Sequence, residues 1–286
     1  MEIETVAIVG VGLIGGSFAL ALREAGFAGE IVGVSSTGAI ESGIRTGAIS
    51  RGVTLEEAAA SAGVIYLAQT VDRILETLGI LGPLLRADCL VTDAGSTKAA
   101  IVEKARRSLP AAQFLGGHPL AGKERRGTEA AEANLFANRP YVLTPGGKPS
   151  DPSAVHEQEF REWLTRMGAQ IVEMTAEEHD ATVALTSHVP QVVSTVLAAT
   201  LARKNSGRLQ EIFGTGLLDM TRLALSDIDI WGGILSSNEE NVKAGLDALI
   251  ASLIEARNSI GTRGMNDIFG AGSAFAASLR KLPLTS

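Results

Sequence analysis

Thr5-Val-Ala-Ile-Val9 runs directly into Gly10-Val-Gly-Leu-Ile-Gly15, and Leu13 to Ala25 then follows with helical spacing. A short apolar run of this kind fits a strand buried on both faces. The glycines stand as G-x-G-x-x-G between strand and helix, the context in which the pattern marks a dinucleotide-binding turn. Gly10 permits the tight turn, Gly12 lets the backbone approach a pyrophosphate, and Gly15 lets helix and strand pack closely. The first helical residues, Leu13 and Ile14, bring N–H groups and the positive end of the helix dipole to the phosphates. Gly26 is placed to end the helix as its C′ residue.

The same alternation continues outward. Glu30–Val34, Gly63–Leu67, Cys89–Thr92, Gln113–Gly116 and Tyr141–Thr144 read as further strands, with Ala169–Glu173 as a last one. Val71–Leu81, Lys98–Ser108 and Ser153–Arg166 read as helices, and Gly146–Ser150 as a loop. Strand–helix alternation means right-handed crossovers and a mostly parallel sheet, so residues 1–174 are expected to form an α/β Rossmann-type dinucleotide-binding domain. After about residue 175 the texture becomes helical: Glu177–Ala202 (interrupted at Pro190), Leu209–Phe213, Leu217–Leu225, Asn238–Ala256 and Ala274–Lys281. Residues 175–286 are therefore expected to form an all-α dimerisation domain. Its apolar helices, such as Val193–Leu201 and Leu246–Ile254, exceed what one thin layer can bury, which points to a homodimer.

Composition limits the partners. The chain has 286 residues, 45% of them hydrophobic, with 25 Lys+Arg against 32 Asp+Glu and a net charge of −7. That acidic balance argues against nucleic acid, whose phosphates need a basic face. The single cysteine, Cys89, excludes an intramolecular disulfide framework and a cysteine-based zinc site. The four histidines lack ligand spacing, so no metal is expected. No apolar stretch reads as a membrane span and Met1-Glu-Ile-Glu4 has no basic n-region, so the expectation is a cytoplasmic protein with no membrane partner.

The end of the second strand sets the nucleotide preference. An acid there would bind the ribose 2′-OH of NAD. Here the sequence is Val34-Ser-Ser-Thr-Gly38, with no acid before Glu41. Ser35 and Ser36 do not repel a 2′-phosphate, and Arg45 or Arg51 are within reach in sequence. NADP is favoured over NAD, with NAD still open.

Three polar segments can meet the cofactor: Thr92-Asp-Ala-Gly-Ser-Thr-Lys98, Gly116-Gly-His-Pro-Leu-Ala-Gly122 and Thr186-Ser-His-Val-Pro-Gln191. His118 is the sharpest candidate, because a turn between glycines and a proline holds it rigidly. A neutral imidazole there can accept a proton from an alcohol whose carbon loses hydride. A structural loop histidine is the alternative. Ser96 and His188 stand near helix starts, where either can be local structure. Lys123, Arg125 and Arg126 read as a solvated loop, or as an attractor for an anionic substrate.

These segments, with Asp219-Met-Thr-Arg222, stand in the order seen in the prephenate/arogenate dehydrogenases of tyrosine biosynthesis, and the chain resembles that family over nearly its whole length. The Gly-His-Pro-x-Ala-Gly segment with Ser-His-x-Pro carries the resemblance; the glycine loop alone is common to many dinucleotide binders. The resemblance implies a Rossmann domain, a helical domain that dimerises and binds substrate, and oxidative decarboxylation of a cyclohexadienol. Hydride passes to the nicotinamide, CO₂ leaves, and the ring becomes aromatic. It implies that His118 takes up the ring hydroxyl's proton and that Ser96 helps hold it productive. It places His188 beside the substrate and Arg222 on a substrate carboxylate, a role that suits the guanidinium fork. Trp231 walls the pocket, in the family by reaching across the dimer. His179-Asp180 resembles a His-Asp pair of the family and reads as supporting or helix-start structure.

Where the family usually has Thr-Pro lining the cofactor, this chain has Ala68-Gln-Thr-Val71, with Thr70 as the candidate contact. Two other readings compete. A hydroxyacid-type dehydrogenase of the same plan would want a lysine at the start of the helical domain, and residues 175–190 contain none. A non-catalytic dinucleotide sensor would not need Ser96, His118, His188 and Arg222 together.

Overall fold

Strand β1 (Thr5–Val9) enters helix α1 (Leu13–Glu24) through the glycine turn, and the chain continues with β2 (Glu30–Val34), α2 (Thr37–Arg45), β3 (Arg51–Gly52) and α3 (Leu55–Ser61). It then returns past β1 with β4 (Val64–Leu67), α4 (Val71–Leu81), β5 (Leu90–Asp93), α5 (Ala99–Ser108) and β6 (Phe114–Pro119). Strand β7 (Pro140–Thr144), α6 (Ala154–Arg166) and β8 (Gln170–Glu173) complete an eight-stranded sheet ordered β3-β2-β1-β4-β5-β6-β7-β8. All neighbours are parallel except β6 and β7. The order reverses between β1 and β4, so the crevice outside their carboxyl ends is the place where such sheets bind ligands. This is a Rossmann-type domain with a mostly parallel sheet. The computed structural model describes residues 3–110, 113–123, 125–145, 153–204 and 207–281; the expected loop Gly146–Ser150 lies outside them.

The central strands read as apolar runs because both faces are covered. Ala7, Ile8, Ile65, Tyr66, Leu90 and Val91 have no exposed surface. Phe18 of α1 stacks on Tyr66 at 4.0 Å, and Phe27 meets Trp163 of α6 edge-on at 5.5 Å. The short strand β3 and helices α2 and α3 were not assigned from the sequence. Two residues leave no periodic signal, whereas α3 does carry one: Thr54 and Glu57 form a complete capping box at its start.

Helix α7 (Ala176–Val183) leads through a π-turn (Ala184–His188) into α8 (Val189–Arg203). The helix therefore continues across Pro190. The proline lacks an N–H and its ring crowds the preceding turn, and the wider π-turn just before it accommodates both demands. Then come α9 (Thr215–Thr221), a 3₁₀ turn (Arg222–Leu225), α10 (Ile228–Ser237), α11 (Glu239–Ser259) and α12 (Gly264–Leu279). The expected helix at Leu209–Phe213 is instead a turn between Gly207 and Gly214, too short to repay nucleation. Helix α12 starts at Gly264 rather than Ala274; Gly270 and Gly272 weaken its sequence signal.

The chain divides into two compact units, Met1–Asp180 and Ala181–Ser286. One helical run among the described residues, Ala176–Arg203, is long and apolar enough by length and composition to cross a membrane. This corrects the expectation that no such stretch exists. Thr182, Thr186, His188 and Gln191 interrupt the run, but alanines and valines lift its average.

Candidate active site

Gly10 adopts φ +97°, and a Cβ there would lie 2.6 Å from the Ala68 carbonyl oxygen. At Gly15 a Cβ would lie 2.2 Å from the Gly10 carbonyl oxygen. Both positions therefore require glycine for the turn itself. Gly12 differs: a Cβ there would meet nothing within 4 Å. It is the N-cap of α1, which has no side-chain cap and no acidic residue in its first turn. The space a side chain would fill is left open beside orphan N–H groups and a positive dipole end, which suits a pyrophosphate.

A cleft of ≈ 550 Å³ opens here, lined among others by Gly10, Gly12, Ser35, Arg45 and Arg126. Arg45 donates to Glu129 at 2.6 Å and to Ser42 at 3.3 Å. Arg51 is committed elsewhere: it holds Glu30 at the sheet edge at 2.8 Å and does not line the cleft. Ser36 and Thr70 occupy the N-cap positions of α2 and α4, with no capping bond from either side chain. Leu13 and Ile14, in the first turn of α1, pack partly against the core. Thr128 donates its hydroxyl proton to the Val11 carbonyl, and the Glu132 N–H donates to the Ser17 hydroxyl at 2.9 Å. These bonds fix the segment after His118 over the glycine turn, which is how Arg126 reaches the cleft. Lys123 pairs with Glu132 instead.

Strand β5 ends at Asp93, whose carboxylate is fully buried. It accepts the Gly95 N–H at 2.8 Å and the Lys98 ammonium on one oxygen, and the Gly117 N–H at 2.9 Å on the other. Burial pulls the Lys98 ammonium below the usual lysine range, while Asp93 opposes that shift. One carboxylate thus organises both the loop that carries Ser96 and the strand residue before His118.

His118, half-buried at the end of β6, places its Nδ1 2.8 Å from Nε2 of His179. His179 Nδ1 lies 2.7 Å from Asp180 Oδ1. Asp180 also accepts the N–H groups of Lys98 at 2.7 Å and Ala99 at 2.9 Å, at the start of α5. His179 and Asp180 are buried, and their bonds bind this end of the helix into the first unit. The sequence marks the pair only by adjacency and by its likeness to a His-Asp pair of the family. Its contact with His118 spans 61 residues and emerges only on folding.

In the second unit, the π-turn delivers His188, which is buried. Trp231 of α10 meets its ring edge-on at 5.9 Å, and the Asn238 side-chain amide lies 3.2 Å from its Nδ1. Gln191, one turn along α8, donates to the Leu223 carbonyl at 2.7 Å. That bond ties the 3₁₀ turn bearing Arg222 to the helix that follows His188. His188, Trp231 and the Arg222 turn are therefore linked within one unit. Among the described residues, no group of acidic, histidine or cysteine side chains could hold a metal ion.

Residues 18–173 match the nucleotide-binding domain of prephenate dehydrogenase, and residues 175–271 match its dimerization domain. The chain is 33% identical to a prephenate dehydrogenase of Bacillus subtilis (strain 168), over 93% of this chain and 72% of that one. The crystal structure of prephenate dehydrogenase from A. aeolicus with hydroxyphenyl propionate and NAD+ is 30% identical, with a TM-score of 0.84 over 99% of this chain and 96% of that one. The structure of Synechocystis arogenate dehydrogenase is 29% identical, with a TM-score of 0.80 over 97% of this chain and 99% of that one. By both of its domains, this chain belongs to the prephenate dehydrogenase family.

Proposed function

We propose that this chain is an NAD(P)-dependent dehydrogenase that oxidatively decarboxylates prephenate, arogenate or both. The observation that carries this reading is His118, held at the carboxyl edge of the sheet by Asp93 below and His179 behind, on the domain that bears the open glycine cradle. The glycine turn and the start of α1 would hold the pyrophosphate, and the bound nicotinamide supplies the hydride acceptor. With Nδ1 engaged by His179, Nε2 of His118 is the nitrogen that receives the substrate hydroxyl's proton. Loss of CO₂ and aromatisation draw the reaction forward. Ser96 steadies the hydroxyl and His118. In the helical unit, His188 and Trp231 contact the substrate, and Arg222 pairs with a substrate carboxylate. The match of residues 175–271 to a dimerization domain supports a homodimer.

NADP is the preferred cofactor in this reading. Ser35, Arg45 and Arg126 line the cleft without an acid from the end of β2, and a 2′-phosphate would compete with Glu129 for Arg45. The test is reduced-nicotinamide absorbance with both substrates crossed against both cofactors, repeated with His118→Asn and Arg45→Ala. His118→Asn should lower kcat roughly 10²- to 10⁴-fold with nucleotide affinity kept. Arg45→Ala should raise KM for NADP more than for NAD. Near-normal turnover in His118→Asn removes the proposed base, and a strong NAD preference in the unmodified chain removes the cofactor assignment.

A further inference from the structure

We infer that His179 and Asp180 are positioning residues that keep the single proton of neutral His118 on Nδ1, so that Nε2 presents the lone pair that receives the substrate's proton. The inference rests on His118 acting as the base.

With both imidazoles neutral, the chain of donors and acceptors has one consistent reading. Asp180 accepts two backbone N–H groups at the start of α5, at 2.7 and 2.9 Å, which orient its carboxylate. A carboxylate only accepts, so the hydrogen of its 2.7 Å contact with His179 sits on Nδ1 of that ring. A neutral imidazole with a protonated Nδ1 has an accepting Nε2. The atom facing it at 2.8 Å is His118 Nδ1, which must therefore donate. The rings are 75° apart with centroids at 5.0 Å, a geometry of edge contact rather than stacking.

The charged groups around the pair include Asp180 on α7, Asp93 at the end of β5 and Lys98 at the start of α5, the last two of which pair with each other. Asp180 also acts on the Lys98 ammonium and accepts the N–H groups of Lys98 and Ala99, and it meets His179 at 2.7 Å. When His118 takes the hydroxyl proton on Nε2, no bond in the relay breaks. The new positive charge is held by the Nδ1–H bond to His179 and, through it, by Asp180. Without the relay, neutral His118 is free to place its proton on either nitrogen, and the form with Nε2–H cannot act as a base. The same logic underlies the orienting carboxylate of hydrolase triads.

The experiment has two readouts. The first is imidazole nitrogen NMR on the nucleotide-free protein, which reports the tautomer of His118. The second is the pH profile of kcat/KM for the unmodified chain, His179→Phe and His179→Gln. Phenylalanine removes the acceptor, whereas glutamine can return an oxygen near the place of Nε2. The expected result is an Nδ1–H tautomer in the unmodified protein and mixed tautomers in His179→Phe. That variant should also lose kcat roughly 10²-fold with KM retained. Its acidic limb should move to lower pH, because the imidazolium has lost its acceptor. His179→Gln should recover much of kcat. An Nε2–H tautomer in the unmodified protein overturns the inference. So does a His179→Phe enzyme that loses thermal stability while its tautomer and acidic limb stay in place. If His118→Asn retains full turnover, the base assignment itself fails; if His118→Asn is inactive and His179→Phe is normal, only the relay fails.

Discussion

Asp93 and Lys98 form an ion pair with no solvent exposure on either side chain, and the same carboxylate holds the N–H of Gly117, the residue before His118. The pair thus lies beneath the turn that carries the proposed base. A buried pair is costly to desolvate, and its geometry fixes a single arrangement of the groups bonded to it.

Removing one partner should expose that cost. Lys98→Met leaves the Asp93 carboxylate buried without its cation, and should destabilise the fold by about 3–5 kcal/mol. Adding Asp93→Asn should recover part of the loss, since the charge is then gone while an acceptor for Gly95 or Gly117 remains. Urea unfolding of the single and double variants measures both, and equal stability of the two would contradict the pairing.

The glycine turn separates folding from binding. Gly15→Ala places a methyl group 2.2 Å from the Gly10 carbonyl oxygen, so it should lower Tm. Gly12→Ala meets nothing within 4 Å and has an extended backbone, so it should fold normally. It should nonetheless weaken nucleotide binding, because its methyl group occupies the phosphate approach. Fluorescence titration with reduced nucleotide beside thermal melts reads both; unchanged affinity in Gly12→Ala places the phosphates elsewhere.

Arg222→Ala should act on KM more than on kcat. Loss of a hydrogen bond between charged partners is worth about 1.5–3 kcal/mol, or roughly a 10- to 150-fold rise in KM. Steady-state kinetics in saturating cofactor gives the split. A variant with KM unchanged puts Arg222 outside the substrate's reach.

Alkaline pH should destabilise the fold through its single cysteine. Burial, with the Asp88 charge behind it, pushes the Cys89 thiol from 9.0 up to about 12. The folded chain then retains a proton that the unfolded chain releases, so stability is full below about pH 9 and falls as pH rises toward about 12. Tyr66, raised by its own burial, adds to the fall. Urea midpoints measured from about pH 8 to about pH 11 should decline less steeply in Cys89→Ala. Identical slopes would show that the thiol does not contribute.

The glycine turn, the strands around it and the helix after it were legible because their signals are local. A strand covered on both faces is apolar throughout, and a turn that crowds its own backbone needs glycine. The turn that holds His118 was legible for the same reason: Gly116, Gly117 and Pro119 frame it within a few residues. The capping box of α3, Thr54 with Glu57, is an equally local signal. Leu209–Phe213 misled, because five residues with helical composition carry no information about the neighbours that would stabilise them.

What lies behind His118 could not be read from the residues in order. His179-Asp180 is a dipeptide at a helix start until folding brings His118 from 61 positions away onto its imidazole. Arg126 looked like part of a solvated loop until the Thr128 and Glu132 bonds pinned that loop over the glycine turn. Periodicity and turn chemistry specify elements, because each depends on neighbours along the chain. Which proton sits on which nitrogen depends on partners across the sheet, and only the packed arrangement of β5, β6 and α7 supplies those.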